Sequence, residues 1–356
     1  MQTNTYATTV GMDLGNTAHT ICALNTDGAV DHITTIENNR EGINEYFSRY
    51  DDPGSVLVVV ETGTHSPWIS HHLQRQGYRV LVGNARKLRV IWCQKNKTDV
   101  RDAEMLARIG RFDQVLLAPI KHRNRQAHRD LALLKARDIL VRTRAKLVNH
   151  VRGTLKTFGH QVRSCSTSSF ANQLRGTLPG ELQHALEPIL DTLAEITSRI
   201  RAYDRQIEQV SQDRYPETAR LRQVAGVGPV TALAYVLTLE RADRFRKSRD
   251  VGPYLGLTPR RDQSGETDRQ LRITKAGNGY MRRLLVGAAH YILGPFGSDC
   301  SLRRYGERIA ARGGRIAKRK AVVAVARKLA VLLHRLWVSG QEYKPLGRCR
   351  PSDAAA

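Results

Sequence analysis

The sequence has few cysteines, and those it has do not form spaced pairs. The five are spread along 356 residues, at Cys22, Cys93, Cys165, Cys300 and Cys349. Zinc ribbons and disulfide frameworks both need cysteines at short, repeated spacings, so this distribution argues against both. A reducing compartment, the cytoplasm, is therefore the expected location.

A long uninterrupted apolar run is also missing. The longest, "AVVAVARKLAVLLHRLW" from Ala321, is broken by Arg327, Lys328, His334 and Arg335. A membrane-spanning helix needs about 20 mostly apolar residues. A signal peptide needs a basic region followed by an apolar core, and the N-terminus has neither. The sequence predicts no membrane span and no secretion signal.

Acidic residues are too few to balance the basic ones. There are 57 Lys and Arg against 33 Asp and Glu, which gives a formal net charge of +24 and a pI near 10.3. Such an excess destabilises a compact protein by self-repulsion unless a polyanion is bound, so nucleic acid is the first partner to expect. The excess lies late in the chain, because residues 1–113 carry 12 basic and 13 acidic side chains whereas residues 201–356 carry 31 and 14.

What the chain does contain is a change of pattern, from mixed strands and helices to helices. The continuous apolar run "SVLVVVE" suits a central strand of a mixed sheet. An α/β domain is predicted over residues 1–120, a helical, coiled-coil-forming region over 121–215, and a mostly α-helical domain over 216–340. Residues 341–356 are predicted to be a disordered tail. The two long helices of the middle region can pair as an antiparallel hairpin or dimerise as a coiled coil.

The N-terminal stretch "VGMDLGNTAHTICALN", from Val10 to Asn25, places Asp13 at the end of the first strand of a hairpin. Two kinds of protein use a carboxylate at this place. Sugar kinases and chaperone ATPases set an Asp-x-Gly-x-Thr hairpin under the phosphates of ATP, whereas nucleases of the ribonuclease-H type set the same Asp on a catalytic metal ion. The hairpin alone is compatible with both.

Three further acids stand at the ends of predicted elements. Glu61 ends the strand "SVLVVVE", while Asp99 and Asp102 begin a helix in "NKTDVRDAEMLARI" that Thr98 can cap. Residues three apart share a helix face, so Asp99 and Asp102 can point at one site. Grouped carboxylates repel unless cations neutralise them, and Mg²⁺, as two ions, is the cofactor expected, with Mn²⁺ as its substitute. The alternative is that each acid is a helix cap or a turn residue.

In order and spacing, "GMDLGN", "VVVETG" and "KTDVRDAEMLA" resemble the N-terminal domain of the DEDD-type insertion-sequence transposases, the insertion-sequence-110 family. The third motif is the most specific of the three. The resemblance implies a RuvC-like (ribonuclease-H-like) catalytic domain in which Asp13, Glu61, Asp99 and Asp102 bind metal ions. It favours the metal-binding role of Asp13, since a kinase would also need a later Gly-rich phosphate loop and would leave the basic excess unexplained.

The segment "LRQVAGVGPVTALAYVL" holds Gly226 and Gly228 between two apolar helical stretches and resembles a helix-hairpin-helix turn. In such a turn glycines let backbone N–H groups approach a nucleic-acid phosphate at the N-terminus of the next helix. Gly-x-Gly-Pro is also an ordinary helix connector. The basic surroundings favour contact with nucleic acid.

Residues Pro259 to Gly279 are predicted to be a polar, exposed loop that holds one serine, Ser264. Its basic residues are candidate phosphate contacts: Arg260, Arg261, Arg269, Arg272 and Lys275. A loop serine before Gly is most often a turn residue, and a serine hydroxyl is a weak nucleophile without help. However, Gly-Leu-Thr-Pro, then Ser-Gly and Lys-x-Gly-x-x-Tyr, is similar to the C-terminal domain of the same transposases. That similarity implies that Ser264 is the nucleophile, whereas its rival Tyr280 is expected to pack in a helix.

The resemblance spans roughly Tyr6 to Trp337 and implies a recombinase that moves an insertion sequence through a phosphoserine–DNA intermediate. It also implies a structured bridge RNA that pairs with donor and target DNA, and a homo-oligomer, a dimer or tetramer, working on DNA of the prokaryotic nucleoid. Two alternatives remain. One is a RuvC-like hydrolytic nuclease or Holliday-junction resolvase that uses water as nucleophile, and the other is a non-catalytic nucleic-acid-binding protein.

Overall fold

The computed structural model describes residues 6–85, 87–88, 98–265 and 267–346. The chain divides into two compact units, residues 1–124 and residues 125–356. Among the helices described, none is long and apolar enough to cross a membrane.

The first unit is built on a five-stranded mixed sheet with the order β3-β2-β1-β4-β5. Its strands are β1 (Thr8–Leu14), β2 (Ala18–Leu24), β3 (Val30–Glu37), β4 (Val56–Glu61) and β5 (Arg79–Gly83). The first three strands are antiparallel neighbours, whereas β4 runs parallel to β1 and β5 runs parallel to β4. The predicted hairpin and central apolar strand are both confirmed.

Helices cover both faces of this sheet. Along β4, Val56, Val58 and Val60 pack with α1 (Arg40–Phe47) and α2 (Ser66–Arg75), whereas the alternate residues Leu57 and Val59 pack with α3 (Asp99–Phe112). Because side chains of a strand alternate between faces, an all-apolar strand must be covered on both sides. The result is a three-layer α/β unit.

The second unit begins with two long helices, α4 (Arg125–Thr157) and α6 (Gly180–Arg214), joined through the short α5 (Phe170–Leu174). The helices run antiparallel, since the Arg137 guanidinium lies 2.5 Å from an Asp204 carboxylate oxygen and Arg144 donates to the Thr197 hydroxyl at 3.4 Å. Of the two predicted arrangements, the chain forms the antiparallel hairpin within one molecule.

The remaining helices enclose the largest apolar core, in which α8 is almost completely buried. They are α7 (Glu217–Leu221), α8 (Pro229–Leu239), α9 (Val251–Tyr254), α10 (Gly279–Leu293), α11 (Ser301–Ala310) and α12 (Gly314–Ser339). Short 3₁₀ helices lie at Ala242–Arg244 and Ser248–Asp250 in this unit, and at Pro53–Ser55 and Gln114–Leu117 in the first unit. Beyond α12, the backbone of Tyr343 donates to the Gln223 side chain at 2.8 Å. Residues 347–356 of the predicted tail lie outside the described part of the chain.

The prediction of a loop between Pro259 and Gly279 is wrong in one respect. Residues within it form an antiparallel hairpin of two strands, β6 (Pro259–Ser264) and β7 (Thr267–Ile273). Every residue of β6 and nearly all of β7 are exposed. A strand without a buried face has no apolar alternation, which is the signal on which strand prediction depends.

Candidate functional site

Asp13 and Glu61 lie at the carboxyl ends of two neighbouring parallel strands. The last paired residues of β1 and β4 are Met12 and Val60, so Asp13 and Glu61 are the next residues at the same carboxyl edge of the sheet. By alternation both share a face with Gly11 and with the apolar residues of β4 that pack on α3. Both side chains are partly exposed. The structure therefore brings two of the four predicted acids together on the α3 side of the sheet.

The other two acids lie in the first turn of α3, where the Thr98 hydroxyl accepts from the Arg101 backbone as the sequence predicted. Asp99 is exposed, whereas the Asp102 side chain is buried, at 8% exposure. The next residue, Ala103, lies against Gly11 of β1, two residues before Asp13. The start of α3 is thereby held beside the strand end that carries Asp13.

These acids fit a divalent cation in donor type, since carboxylate oxygens are the ligands that Mg²⁺ prefers. Asp13 and Glu61 also share one face of the sheet edge, and the helix that carries Asp99 and Asp102 packs on that face. In the described ranges, however, no three His, Cys, Asp or Glu side chains are close enough together to hold a metal ion. Residues 89–97, which lead into α3, are not among those ranges. The backbone therefore brings the strand ends and the start of α3 to the same side of the sheet, but the described side chains are not grouped as a set of metal ligands.

The turn that follows Asp13 is held by residues that the sequence did not single out. The Asn38 amide donates to the carbonyls of Gly15 and Asn16 at 3.3 and 2.9 Å, and its nitrogen lies 3.3 Å from both ring nitrogens of His65. Beside them His19 is completely buried, and burial lowers the pKa of its imidazole. Only the fold brings Asn38 to this turn, so no local sequence pattern could have revealed it.

Ser264 lies at the tip of the β6–β7 hairpin, opposite Thr267. The connecting Gly265 has a φ of +53°, a left-handed conformation that glycine adopts without strain. The hydroxyl is therefore presented at an exposed turn, with nothing within 4 Å of a Cβ at Gly265. Ser264 is exposed, as the sequence predicted, although it is the last residue of a β-strand and not part of a loop.

The four arginines around Ser264 do not all share its face of the hairpin. Arg269 pairs opposite Asp262, two residues before Ser264, so by alternation it shares a face with the serine. Arg261 lies on the other face and makes two hydrogen bonds to the Asp268 carboxylate, at 2.7 and 2.6 Å. The remaining two, Arg260 and Arg272, stand exposed nearer the base, where the pairing is irregular. Arg269 is thus the arginine best placed to accompany Ser264.

The base of the hairpin is anchored to the core. A Cβ at Gly256 would lie 2.3 Å from backbone atoms of Ala276, so the two segments are in direct backbone contact. The Arg282 guanidinium donates to the carbonyls of Leu255 (3.1 Å) and Ala276. Lys275, a predicted phosphate contact, is exposed here with a φ of +54°. A fixed base with an exposed tip suits a ribbon that presents Ser264 to a large substrate.

Tyr280, the rival nucleophile, lies in the first turn of α10, which Asn278 caps through its side-chain oxygen. Its hydroxyl is buried and has no hydrogen-bond partner among the described residues. Burial raises the pKa of this phenol to about 12, which makes the phenolate harder to form. The environment fits the packing role that the sequence predicted.

The turn with Gly226 and Gly228 connects α7 to α8. Gly226 has a φ of +83°, and a Cβ there would lie 3.0 Å from the Ala288 carbonyl oxygen, so this glycine is required by the fold itself. Gly228 is the N-cap of α8 and faces open space. Of the two, Gly228 has the backbone position that a phosphate could approach.

Two family models match the chain. One, of DEDD transposases of the IS110 type and described as a transposase, matches residues 10–160. The other, described as the transposase IS116/IS110/IS902 family, matches residues 218–297. Together the two matches span more than half of the chain. The first contains the four acids, and the second contains Ser264 and the glycine turn.

Several similar proteins are transposases of bacteria. A probable family 20 transposase of Pseudomonas aeruginosa is 28% identical over 300 residues, which are 81% of this chain and 86% of that protein. The transposase for insertion sequence element IS1111A of Coxiella burnetii is 25% identical, over 80% of this chain and 77% of that protein. A pilin gene-inverting protein of Moraxella bovis is 23% identical, over 84% and 86%. Each similarity extends over both units of the chain.

Proposed function

As the chain belongs to the IS116/IS110/IS902 family of transposases and so cleaves and transfers DNA, we propose that it does so with two separate sets of residues. The first is the acid set Asp13, Glu61, Asp99 and Asp102, and the second is Ser264. The observation that carries the proposal is that Asp13 and Glu61 lie side by side at the carboxyl ends of adjacent parallel strands, on the face covered by α3. The sheet order and the strand-end acids support a ribonuclease-H-like, RuvC-like domain.

The DEDD transposase family generally depends on divalent metal ions. In this chain Asp13, Glu61, Asp99 and Asp102 would hold them, with Mg²⁺ the preferred ion. When bound, such ions neutralise the charge of a phosphodiester and favour attack on its phosphorus. The acids of the chain would hold the ions beside the carboxyl edge of the sheet, and the contact of Gly11 with α3 fixes the position of the first turn of α3 relative to β1.

Ser264 would attack the phosphorus that the acid site binds. A bond forms between the serine oxygen and phosphorus, the bond from phosphorus to the leaving strand breaks, and that strand departs as an alcohol. The proton lost by the serine hydroxyl balances the proton gained by the leaving oxygen. Because one phosphate ester replaces another, the linkage can be reversed when a DNA hydroxyl attacks the phosphoserine. The exposed hairpin tip and the nearby Arg269 support this role.

The basic excess of residues 125–356 supports binding of DNA together with a structured bridge RNA, on the cytoplasmic nucleoid of a prokaryote. Base pairing would then read sequence, and the protein would read shape and backbone. We also propose a homo-oligomer in which the acids of one subunit meet the serine of another. The candidate phosphate contacts are Gly228, Arg260, Arg261, Arg269, Arg272 and Lys275, with Gly226 as the glycine that shapes the turn.

The experiment that tests the serine assignment compares four chains on nicked duplex DNA with Mg²⁺ and the copurified RNA. They are the wild type, Ser264→Ala, Thr267→Ala and Tyr280→Phe. Thr267→Ala removes the hydroxyl opposite Ser264 and controls for disturbance of the hairpin tip. We expect a covalent protein–DNA adduct with wild type and with both controls, and neither adduct nor cleavage with Ser264→Ala.

Other outcomes identify the alternatives. A hydrolytic nuclease or junction resolvase would form no adduct and would tolerate Ser264→Ala, because water needs only the metal ions. An adduct mapped to Tyr280 would reject the serine assignment. Metal-independent binding without any strand cleavage would indicate a non-catalytic nucleic-acid-binding protein.

A further inference from the structure

A long stretch near the C-terminus contains no acidic residue. Between Glu307 and Glu342 the sequence has no Asp or Glu, yet it carries nine basic residues: Arg308, Arg312, Arg315, Lys318, Arg319, Lys320, Arg327, Lys328 and Arg335. None of the candidate sites described above includes them. Nine basic residues with no acidic residue among them repel one another, and this repulsion needs a physical explanation.

Six of these cations gather where α11 and α12 meet. We refer to these six residues as the α11–α12 tip: Arg308, Arg312, Arg315, Lys318, Arg319 and Lys320. The two helices pack closely, since a Cβ at Gly306 would lie 2.7 Å from a Val325 methyl carbon, and the connector between them is short. All six side chains are exposed. The tip is therefore a compact, strongly positive surface.

The cations of the tip are not neutralised within the chain. In the described part of the molecule none of the six has a carboxylate within ion-pair distance, whereas two arginines earlier on α11 do. Arg303 pairs with Glu307 at 2.8 Å, and Arg304 pairs with Asp299 at 2.5 Å. On α11, therefore, Arg303 and Arg304 form ion pairs with acidic residues, whereas, among the described residues, the arginines of the tip do not.

This arrangement is costly to the folded chain. The first turn of α12 contains Arg315 and no acidic residue, and a cation near the positive end of a helix dipole is unfavourable. Packed beside the tip, Lys328 has its ammonium 3.7 Å from the centre of the Tyr305 ring, and burial, followed by the charge of Arg308, lowers its pKa. Like charges held together without acids are explained by an anionic partner that offsets the repulsion.

We propose that the α11–α12 tip is a binding surface for the phosphate backbone of duplex DNA. The inference rests on the family assignment, because a transposase binds DNA, but not on the serine or the metal ions. Charge complementarity selects the partner, since duplex DNA carries about one negative charge per 1.7 Å of axis. Binding to a membrane surface would need an apolar helix face. Between residues 308 and 320 the exposed large apolar side chain is Ile316, at 70% exposure, and one such side chain does not make an apolar face.

The test compares two triple variants with equal loss of charge. One is Arg315→Gln, Lys318→Gln and Arg319→Gln in the tip. The control is Arg175→Gln, Arg199→Gln and Arg241→Gln, three exposed arginines that are each already paired with an acid. Binding to random-sequence duplexes of about 30 base pairs is followed by fluorescence anisotropy across a salt series, without divalent cations so that no chemistry occurs.

We expect the tip variant to lose roughly three units of the slope of log affinity against log salt, since each lost phosphate contact removes about one. The control should lose less than one unit. Thermal stability of the tip variant should stay equal or rise, because unfavourable charges at the helix N-terminus are removed. If the triple variant were unstable, the double variant Arg308→Gln, in the last turn of α11, and Arg312→Gln, in the connector, serves for the same measurement.

An unchanged salt slope in the tip variant, or an equal change in the control, would overturn the inference. Matched duplex and single-stranded RNA form a further arm, and loss of RNA affinity with DNA affinity intact would assign the tip to RNA and reject the proposal. Cleavage by Ser264→Ala would reject the serine assignment and leave this result untouched. Failure of the tip and failure of the proposed function are therefore separable.

Discussion

The backbone of Ala103 lies directly against Gly11. A Cβ atom at Gly11 would be 2.0 Å from the Ala103 carbonyl oxygen and 2.6 Å from the Ala107 backbone nitrogen. Only glycine permits this approach of α3 to β1. The contact sets the position of the first turn of α3, and hence of Asp99 and Asp102, relative to the strand that carries Asp13.

Replacing Gly11 by alanine should therefore disturb folding and catalysis together. The added methyl group must push α3 away from the sheet, which should destabilise the chain by about 1–3 kcal/mol, the usual cost of overpacking, and should abolish DNA cleavage. Gly153→Ala is the matched control, because nothing lies within 4 Å of a Cβ at that exposed position of α4. It should be neutral or slightly stabilising. Thermal unfolding and cleavage assays measure both effects, and full cleavage by Gly11→Ala would contradict the assigned position of the acids.

The acids should be required for chemistry and dispensable for binding. Asp13→Asn removes a charge from the proposed metal site while leaving the basic second unit unchanged, so cleavage should be lost and DNA affinity should change by no more than about threefold. Chelation of divalent cations should have the same effect on the wild type. Asp51→Asn, at an exposed acid before β4, is the control and should cleave normally. Cleavage by Asp13→Asn at the wild-type rate would exclude Asp13 from the metal site.

Much of the architecture could be predicted from strong local sequence patterns. The apolar run of β4, the Thr98 cap and the helical spacing of α4 and α6 each appear in the sequence, and the structure confirms these elements. The predicted strand ends place Asp13 and Glu61 at adjacent positions of one sheet edge in the structure, whereas the grouping of all four acids in one site stays a prediction. By contrast, the close approach of α3 depends on Gly11 meeting a helix about 90 residues later, and no local pattern encodes such a contact.

The β6–β7 hairpin shows the other limit of sequence-based prediction. Its strands are exposed and mostly polar, so the hydrogen bonds between them and the turn at Gly265, not burial, determine the conformation. The pairing of Arg261 with Asp268 and the separation of Arg269 onto the serine face follow from strand register alone. A loop prediction could name these residues but could not divide them between two faces.

The stability of the first unit should fall below neutral pH because of His19. Burial lowers the pKa of His19 from its ordinary value of 6.5, so the folded chain binds the proton less tightly than the unfolded chain. The free energy of unfolding should therefore decrease as the pH falls below about 6.5, by at most about 1.4 kcal/mol per pH unit. Unfolding measured between about pH 7.5 and about pH 5.5 should show a weaker pH dependence in His19→Phe. The exposed His290 provides the control His290→Gln, which should keep the wild-type dependence.

The ion pair on the far face of the hairpin should limit DNA binding. Asp268 neutralises Arg261, and the hydrogen bonds from Arg261 hold the pKa of that carboxyl below its ordinary value, so the pair persists at every pH near neutral. Asp268→Asn removes the negative charge and frees the guanidinium for a phosphate. Because both side chains are exposed, little change in stability is expected.

DNA affinity of Asp268→Asn should rise, and the salt slope should steepen by about one unit, the effect of one added phosphate contact. The control is Asp191→Asn on α6, which frees Arg175 with the same change in charge and is not part of the hairpin. Anisotropy across a salt series distinguishes the two. An equal gain in both variants would show that only net charge matters, and no gain in Asp268→Asn would show that the Arg261 face of the ribbon does not touch DNA. A gain confined to Asp268→Asn would place that face of the hairpin against the duplex.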